Sequence, residues 1–317
     1  MKKLSAIILF IILLTSVLSG CSAKLEQGDD KKINIVATIF PEYDFARAIV
    51  GDKANVQLLI QPGSSVHSFD PSPSDMVKAQ KADVFIFIGG ESDIWVEDRL
   101  LDSLDTSKMI IIRLIDHIDM LEEEIKEGME VAEYDAGDGD ELEYDEHIWT
   151  SPKNAIKLID VICDGICEKD AENADTYKAN AKKYQDDLKA VDAEIADAVA
   201  NAKRDKIIVA DKFPFLYFVN AYGLDYEAAF PGCSDQADAG AKAITHLVNA
   251  VKSEDIPYIY YVELSNKSVA AAISEQTGAE ALLLNSCHNV SNTDFNNGIT
   301  YLDLMKHNVE SLKKGLN

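Results

Sequence analysis

The sequence predicts an α/β protein of two lobes, each a parallel sheet flanked by helices, joined by one long rigid helix. Short apolar runs alternate with helical segments over residues 33–150, and the same alternation returns over residues 205–317. Between them, residues 151–204 have a helical pattern, and no Gly or Pro interrupts the chain from Gly165 to Pro214. A helix of about 30 residues there would be about 45 Å long and would connect the lobes.

In the first lobe, each predicted strand is a short apolar run bounded by turn or cap residues, which is typical of strands buried on both faces. The predicted strands cover residues 33–38, 55–60, 83–90 and 109–114, and helices follow the first two of them at 41–50 and 74–82. In the second lobe, we predict strands at 207–210, 258–263 and 281–284, and helices at 214–221, 241–253, 267–277 and 298–316.

The charge balance excludes one class of partner. Thirty Lys and Arg face 55 Asp and Glu, a net charge of −25, so nucleic acid is not an expected partner. Much of the excess lies in residues 122–146, where a dense run of like charge predicts a mobile acidic loop. This loop is either a solvated segment or a weak, fast cation collector placed directly before His147.

The N-terminus has the plan of a secretory signal. Lys2 and Lys3 precede an apolar run over residues 6–14, which is shorter than the roughly 20 residues needed to span a bilayer. The run is followed by Leu-Ser-Gly-Cys, which resembles a bacterial lipobox. We therefore expect a signal peptide over residues 1–20, lipidation at Cys21, a polar tether over residues 21–32, and an extracytoplasmic protein anchored to the cell membrane.

Four cysteines remain after Cys21. Cys163 and Cys167 are four residues apart in a helical pattern, and buried thiols on one helix face are favoured over a metal pair. Cys233 and Cys287 lie in two loop-like segments, where an oxidising environment would permit a disulfide.

The placement of the histidines predicts a metal site. His67 and His288 follow strands and His147 precedes a helix, and ligands gather at the carboxyl ends of strands in open α/β sheets. Imidazole suits Zn²⁺ and other late first-row metals, so a metal ion held between the lobes is expected. Asp211 and Glu263, at equivalent strand ends, could complete its ligand shell. The remaining histidines lie in helical or amphipathic stretches and are interpreted as structural: His117, His246 and His307.

Two other function classes remain open at this point. In a cell-surface metallohydrolase, Glu263 or Asp211 would act as general base, but the sequence has no His-Glu-x-x-His helix and no nucleophile elbow. A metal-free adhesin would explain the lipobox and the acidity, but it leaves the three loop histidines unexplained.

Four motifs, in this order, resemble one known family. They are Pro62-Gly63 with His67, Asp70, Pro71, Ser72 and Asp75; Glu-His-Ile-Trp-Thr-Ser-Pro at 146–152; the runs 215–218 and 222–224; and 298–301 with Met305 and Asn308. Together they are similar to the zinc/manganese-type metal solute-binding lipoproteins of bacterial ABC importers, over essentially the whole mature chain. The resemblance implies a non-enzymatic, monomeric receptor that carries one metal ion in the inter-lobe cleft and works with an ABC permease and its ATPase.

The chain departs from this family's pattern at two ligand positions. Lys212 aligns where a third His or Glu is usual, and Asn285 aligns with a usual Asp. His288, in the same loop as Asn285, is then the natural replacement, with Asp211 or Glu263 closing the shell. Three imidazoles and a carboxylate favour Zn²⁺, with Mn²⁺ as the alternative cargo. Because imidazole must be neutral to bind, the affinity should fall steeply below about pH 6.

Overall fold

A computed structural model of the chain describes residues 32–131, 144–232 and 239–317, and residues Ile33–Asn317 form one compact unit. The predicted signal peptide, Cys21, most of the predicted tether, residues 132–143 of the acidic segment and Cys233 lie outside the described residues. No helix within the described ranges is long and apolar enough to cross a membrane.

The first sheet contains four parallel strands, β1 (Asn34–Ala37), β2 (Asn55–Leu58), β3 (Val84–Phe87) and β4 (Ile110–Arg113). Their order in the sheet is β2-β1-β3-β4. In the register, Ile35 of β1 lies opposite Val56 on one side and Val84 on the other. Every residue of β3 is buried, as expected for a central strand covered by helices on both faces.

The second sheet repeats this arrangement with four parallel strands, β5 (Lys206–Lys212), β6 (Asp225–Phe230), β7 (Tyr258–Tyr261) and β8 (Glu280–Leu283). Their order in the sheet is β6-β5-β7-β8. The sequence analysis missed β6. Its sequence, Asp-Tyr-Glu-Ala-Ala-Phe, holds residues that are depleted in strands, and its outermost place in the sheet removes the need for a continuous apolar run.

Nine α-helices surround the sheets in the described ranges. They are α1 (Phe40–Val50), α2 (Pro73–Gln80), α3 (Pro152–Lys169), α4 (Ala174–Ala200), α5 (Leu216–Tyr222), α6 (Ala241–Ser253), α7 (Ser268–Thr277), α8 (Asn292–Asn296) and α9 (Tyr301–Gly315). Side-chain caps define three of their starts. Ser72 accepts a hydrogen bond from the Asp75 N–H at 3.3 Å, Ser291 accepts one from the Asp294 N–H at 3.0 Å, and Thr300 accepts one from the Asp303 N–H at 3.0 Å.

The predicted long helix is α4, which is continuous over 27 residues. It packs against α1 and α3 on the side of the first lobe and against α5 and α9 on the side of the second. Two tyrosines fix these contacts. Tyr184 of α4 donates to Asp44 of α1 at 2.7 Å, and Tyr222 of α5 donates to Asp192 of α4 at 2.7 Å.

The two lobes meet through a shared hydrophobic core that includes residues of both sheets. Trp149, fully buried, donates its indole N–H to the Ser286 carbonyl at 2.9 Å, and Tyr301 donates to the Trp149 carbonyl at 2.6 Å. The chain around Trp149 is therefore held against the loop after β8, which brings His147 next to His288.

Part of the acidic segment is docked, in contrast to the predicted mobile loop. The Glu130 N–H donates to the Ala229 carbonyl at 2.9 Å, and Lys126 pairs with Asp225 at 2.7 Å. These contacts attach residues 122–131 to β6 and its surroundings. Gly128 has a φ of +94°, and a Cβ there would lie 2.3 Å from the His246 ring, so only glycine fits this approach.

The cysteines are thiols in the described ranges. Cys163 is buried on α3, with its sulfur 3.9 Å from that of the half-buried Cys167. Cys287 is a free, buried thiol, and its predicted partner Cys233 is outside the described residues.

Candidate metal centre

Three histidines from distant parts of the chain converge at one end of the sheets. His67 lies in the loop between β2 and α2, His147 directly precedes a turn of 3-10 helix at Ile148–Thr150, and His288 follows β8. Their ring centroids are 5.8 Å apart for His67 and His147, 4.9 Å for His67 and His288, and 5.2 Å for His147 and His288. The loops at the carboxyl ends of parallel strands meet at a common edge, which explains this convergence.

A carboxylate joins the three imidazoles. One ligand atom from each of His67, Glu146, His147 and His288 lies within 4.8 Å of each of the others. The sequence analysis did not single out Glu146 as a ligand, and consecutive residues of an extended chain would point in opposite directions. The backbone of His147, at φ −78° and ψ 45°, is not extended, and this turn lets both side chains face the cluster.

Ser92 sets the orientation of the His67 ring. Its backbone N–H donates to Glu146 Oε2 at 2.8 Å, and its hydroxyl donates to Glu146 Oε1. Because that hydroxyl donates its hydrogen bond to Glu146, its oxygen accepts a hydrogen bond from the Nδ1–H of His67, 3.0 Å away. The His67 lone pair is then on Nε2, the atom that is available to a metal.

The His147 ring is also oriented through its Nδ1 atom, in this case by a carboxylate. Its Nδ1 lies 3.3 Å from Asp145 Oδ1, which can only accept a hydrogen bond, so the proton is on Nδ1. Its Nε2 is buried and has no hydrogen-bond partner among the described residues. Burial lowers the pKa of His147, but the carboxylates of Asp145, Glu146 and Glu123 outweigh this effect and raise it above its usual value.

His288 is positioned by its own backbone. Its N–H donates to Glu263 Oε1 at 3.0 Å, and its Nε2, like that of His147, is buried without a hydrogen-bond partner in the part of the chain that is described. The preceding residue, Cys287, has a φ of +62°, an unusual conformation for a residue with a side chain. The loop is therefore held in a defined, strained shape that aims His288 at the cluster.

Two of the imidazoles are kept neutral. The pKa values of His67 and His288 are lowered well below 6.5, first by burial and then by the neighbouring histidines and Lys212. A neutral imidazole has a lone pair to donate, so both rings are prepared for metal binding at neutral pH. Burial raises the pKa of the Glu146 carboxyl. A bound cation would counteract this increase, because a nearby positive charge favours the ionised carboxylate.

The two carboxylates that were expected to close the shell lie beside the cluster. Within the described residues, neither Glu263 nor Asp211 belongs to the group whose ligand atoms lie within 4.8 Å. Glu263 accepts hydrogen bonds from Ser286 N at 2.7 Å, Ser286 Oγ at 2.6 Å and His288 N, so it holds the His288 loop. Asp211 lies inside β5 and accepts a bond from the Lys212 N–H at 2.9 Å.

All three imidazoles line a cavity of about 410 Å³, together with Asp211 and Glu263. The three histidines interpreted as structural lie elsewhere: His246 pairs with Glu227 at 2.9 Å, and His117 and His307 are exposed.

Chemically, the cluster offers neutral nitrogen donors, one buried carboxylate and imidazole Nε2 atoms whose hydrogen-bonding capacity is unused. An unpaired buried polar atom is costly, and a metal ion would satisfy these atoms simultaneously. Such a donor set fits a late first-row ion such as Zn²⁺.

Comparisons with known proteins agree with this reading of the fold. The family model described as "Zinc-uptake complex component A periplasmic" (ZnuA) matches residues 35–315. "Zinc-binding lipoprotein AdcA" of Streptococcus pneumoniae serotype 4 is 34% identical over 99% of this chain and 61% of its own length, so the chain spans less than two thirds of that relative. "High-affinity zinc uptake system protein ZnuA" of Bacillus subtilis is 28% identical over 94% of this chain and 92% of its own length.

A solved structure has the same two-lobe fold. The crystal structure of the Zn(II)-bound ZnuA-like domain of Streptococcus pneumoniae AdcA matches with a TM-score of 0.73 and 31% identity, covering 90% of this chain and 99% of that domain. The predicted architecture of two parallel sheets flanked by helices is confirmed. The chain belongs to the ZnuA family of periplasmic zinc-uptake components.

Proposed function

We propose that this chain is the extracytoplasmic substrate-binding component of an ABC importer, which captures Zn²⁺ and delivers it to a membrane permease. The observation that carries the proposal is the convergence of His67, His147 and His288 with Glu146, whose ligand atoms lie within 4.8 Å of one another. The family consists of components of zinc-uptake complexes rather than enzymes, in agreement with a binding role.

The donor set supports zinc as the cargo. Three imidazole nitrogen ligands suit Zn²⁺, whereas Mn²⁺ prefers more oxygen ligands. The relatives described above are named for zinc binding or zinc uptake. In this proposal the Nε2 atoms of the imidazoles bind the ion, and the Glu146 carboxylate, held by Ser92, supplies compensating negative charge beside it.

The proposal extends to the partners and the location of the protein. The receptor would work as a monomer with an ABC permease and its ATPase. Residues 1–20 would direct secretion, Cys21 would carry the lipid anchor, and residues 21–32 would tether the folded part to the membrane. The first lobe would span residues 33–150 and the second 205–317, with the linking helices at 151–204.

Calorimetry tests the metal site. The purified protein is stripped with a chelator and titrated with Zn²⁺ and with Mn²⁺, alongside the variants His67→Ala, His147→Ala and His288→Ala. We expect one tight zinc site, weaker manganese binding, and loss of tight zinc binding in each variant. His307→Ala, at an exposed position on α9, is the matched control and should bind zinc like the wild type. Absence of a tight zinc site in the wild type would refute the proposal.

A further inference from the structure

The cavity beside the imidazoles reaches one side of the proposed zinc site. Its described lining includes all three cluster histidines but not Glu146, which is 1% exposed and lies behind them. An ion bound to the imidazoles would therefore have protein on the side of Glu146 and open space on the side of the cavity.

This open space is much larger than an ion requires. Zinc is held at about 2.0–2.1 Å from imidazole nitrogen, and a water molecule takes about 30 Å³ in the liquid. The cavity of about 410 Å³ is instead in the range of sites that take small organic molecules.

Two oppositely charged neighbours line this cavity. Asp211 is 9% exposed, and its Oδ2 is buried with no hydrogen-bond partner in the described ranges, so it can accept one more hydrogen bond. Lys212 follows Asp211 in β5 and lines the same cavity. A ligand that carries both an N–H donor and a carboxylate would complement this pair.

We propose that the cleft binds zinc together with one α-amino acid, which fills the open side of the ion. Its amino nitrogen and one carboxylate oxygen would bind the metal, the ammonium proton leaving to solvent, and three imidazoles would bring the total to five ligands, a number that zinc can adopt. The coordinated amine would donate an N–H to Asp211, and the carboxylate would pair with Lys212. Glu146 would keep its two hydrogen bonds to Ser92. This inference rests on the proposed zinc-binding function and names the form in which the cargo is held.

Equilibrium dialysis with radiolabelled L-histidine tests the inference. The purified protein is loaded with one equivalent of Zn²⁺, or left metal-free, and the retained amino acid and the retained zinc are both measured. We expect about one histidine per bound zinc, and none without the metal. Lys212→Met and Asp211→Asn should each weaken histidine retention about tenfold or more while zinc still binds, because each removes one charge-assisted hydrogen bond. Lys53→Met, at an exposed position away from the cavity, is the control.

The outcomes separate the two proposals. Zinc retained at one per protein without histidine would overturn the amino-acid inference and leave the zinc receptor intact. Histidine retention that is unchanged in Lys212→Met and Asp211→Asn would also overturn it, because the metal alone would then hold the amino acid. Absence of both zinc and histidine from the wild type would refute the proposed function itself.

Discussion

The hydroxyl oxygen of Ser92 lies 3.0 Å from Nδ1 of His67. This contact selects the ring tautomer of His67 that leaves its Nε2 unprotonated. Ser92 also donates two hydrogen bonds to Glu146, so one serine positions two members of the cluster.

Ser92→Ala should therefore weaken zinc binding by about 10- to 100-fold, the usual effect of removing a group that orients a ligand. Competition with a chelator of known affinity measures the change. Ser107→Ala, at an exposed serine outside the site, should leave the affinity unchanged. An equally unchanged affinity in Ser92→Ala would show that His67 needs no such orientation.

Glu263→Gln should reduce both the stability of the metal-free protein and its zinc affinity. Glu263 accepts three hydrogen bonds from Ser286 and His288, and glutamine offers one acceptor oxygen in place of two, so at least one donor loses its partner at a cost of about 1–3 kcal/mol. Thermal unfolding and calorimetry measure the two effects, with Glu275→Gln on the exposed side of α7 as control. Weaker zinc binding with unchanged stability would instead indicate that Glu263 is a direct ligand.

Zinc affinity should decrease as the pH falls through the raised pKa of His147. A proton on His147 competes with the metal, so each unit of pH below that pKa should cost about tenfold in affinity per displaced proton. His67 and His288 contribute at lower pH, because their pKa values lie well below 6.5.

The variant Asp145→Asn provides the check on this assignment. Removing the carboxylate that raises the pKa of His147 should move the decrease in affinity to lower pH. Calorimetric titrations from pH 7.5 to pH 5, in about half-unit steps, would measure the zinc affinity of the wild type and of Asp145→Asn. An affinity that is independent of pH over this range in the wild type would contradict imidazole ligation.

Zinc binding should change the intrinsic fluorescence of Trp149. Its ring centroid lies 5.3 Å from that of His147 and 4.9 Å from that of His288, so a charge bound to these rings is felt by the indole. The signal should saturate at one zinc per protein and disappear in Trp149→Phe. The other tryptophan, Trp95, packs against Phe69, and Trp95→Phe should retain the signal.

Deletion of residues 132–143 tests whether the acidic segment collects cations. Glu130 is bonded to Ala229 and Tyr144 is bridged to Glu122, so both flanks are anchored, and a flexible Gly-Ser linker of the same length replaces the deleted residues. If the segment attracts zinc, the deletion should slow zinc association at low salt and leave the equilibrium affinity of the histidine site nearly unchanged. Stopped-flow fluorescence at two ionic strengths measures this, and identical association rates would favour a merely solvated segment.

Much of the fold could be predicted because its elements carry strong local patterns. The helix α4 follows from a long stretch without Gly or Pro, and β3 follows from an unbroken apolar run. The strand β6 could not be predicted in the same way, since its pairing with β5 stabilises a segment whose own composition disfavours a strand.

In the site, the sequence identified the histidines but not the roles of the acids. His67, His147 and His288 stand out because each lies in a loop next to an element end. Glu146 was not singled out and Glu263 was expected to bind the metal, because whether a carboxylate reaches a metal or holds a loop depends on distances between segments that are remote in the chain.

The class of fold, the three candidate histidines and the net negative charge followed from the sequence by itself, because periodicity, residue chemistry and composition are local properties. Only the tertiary structure decided that Ser92 and Asp145 orient the rings, that Glu146 joins the cluster, and that Lys212 and Asp211 line a cavity beside it. Hydrogen bonds and metal–ligand contacts act over a few ångströms, and only folding brings residues from both sheets within that distance.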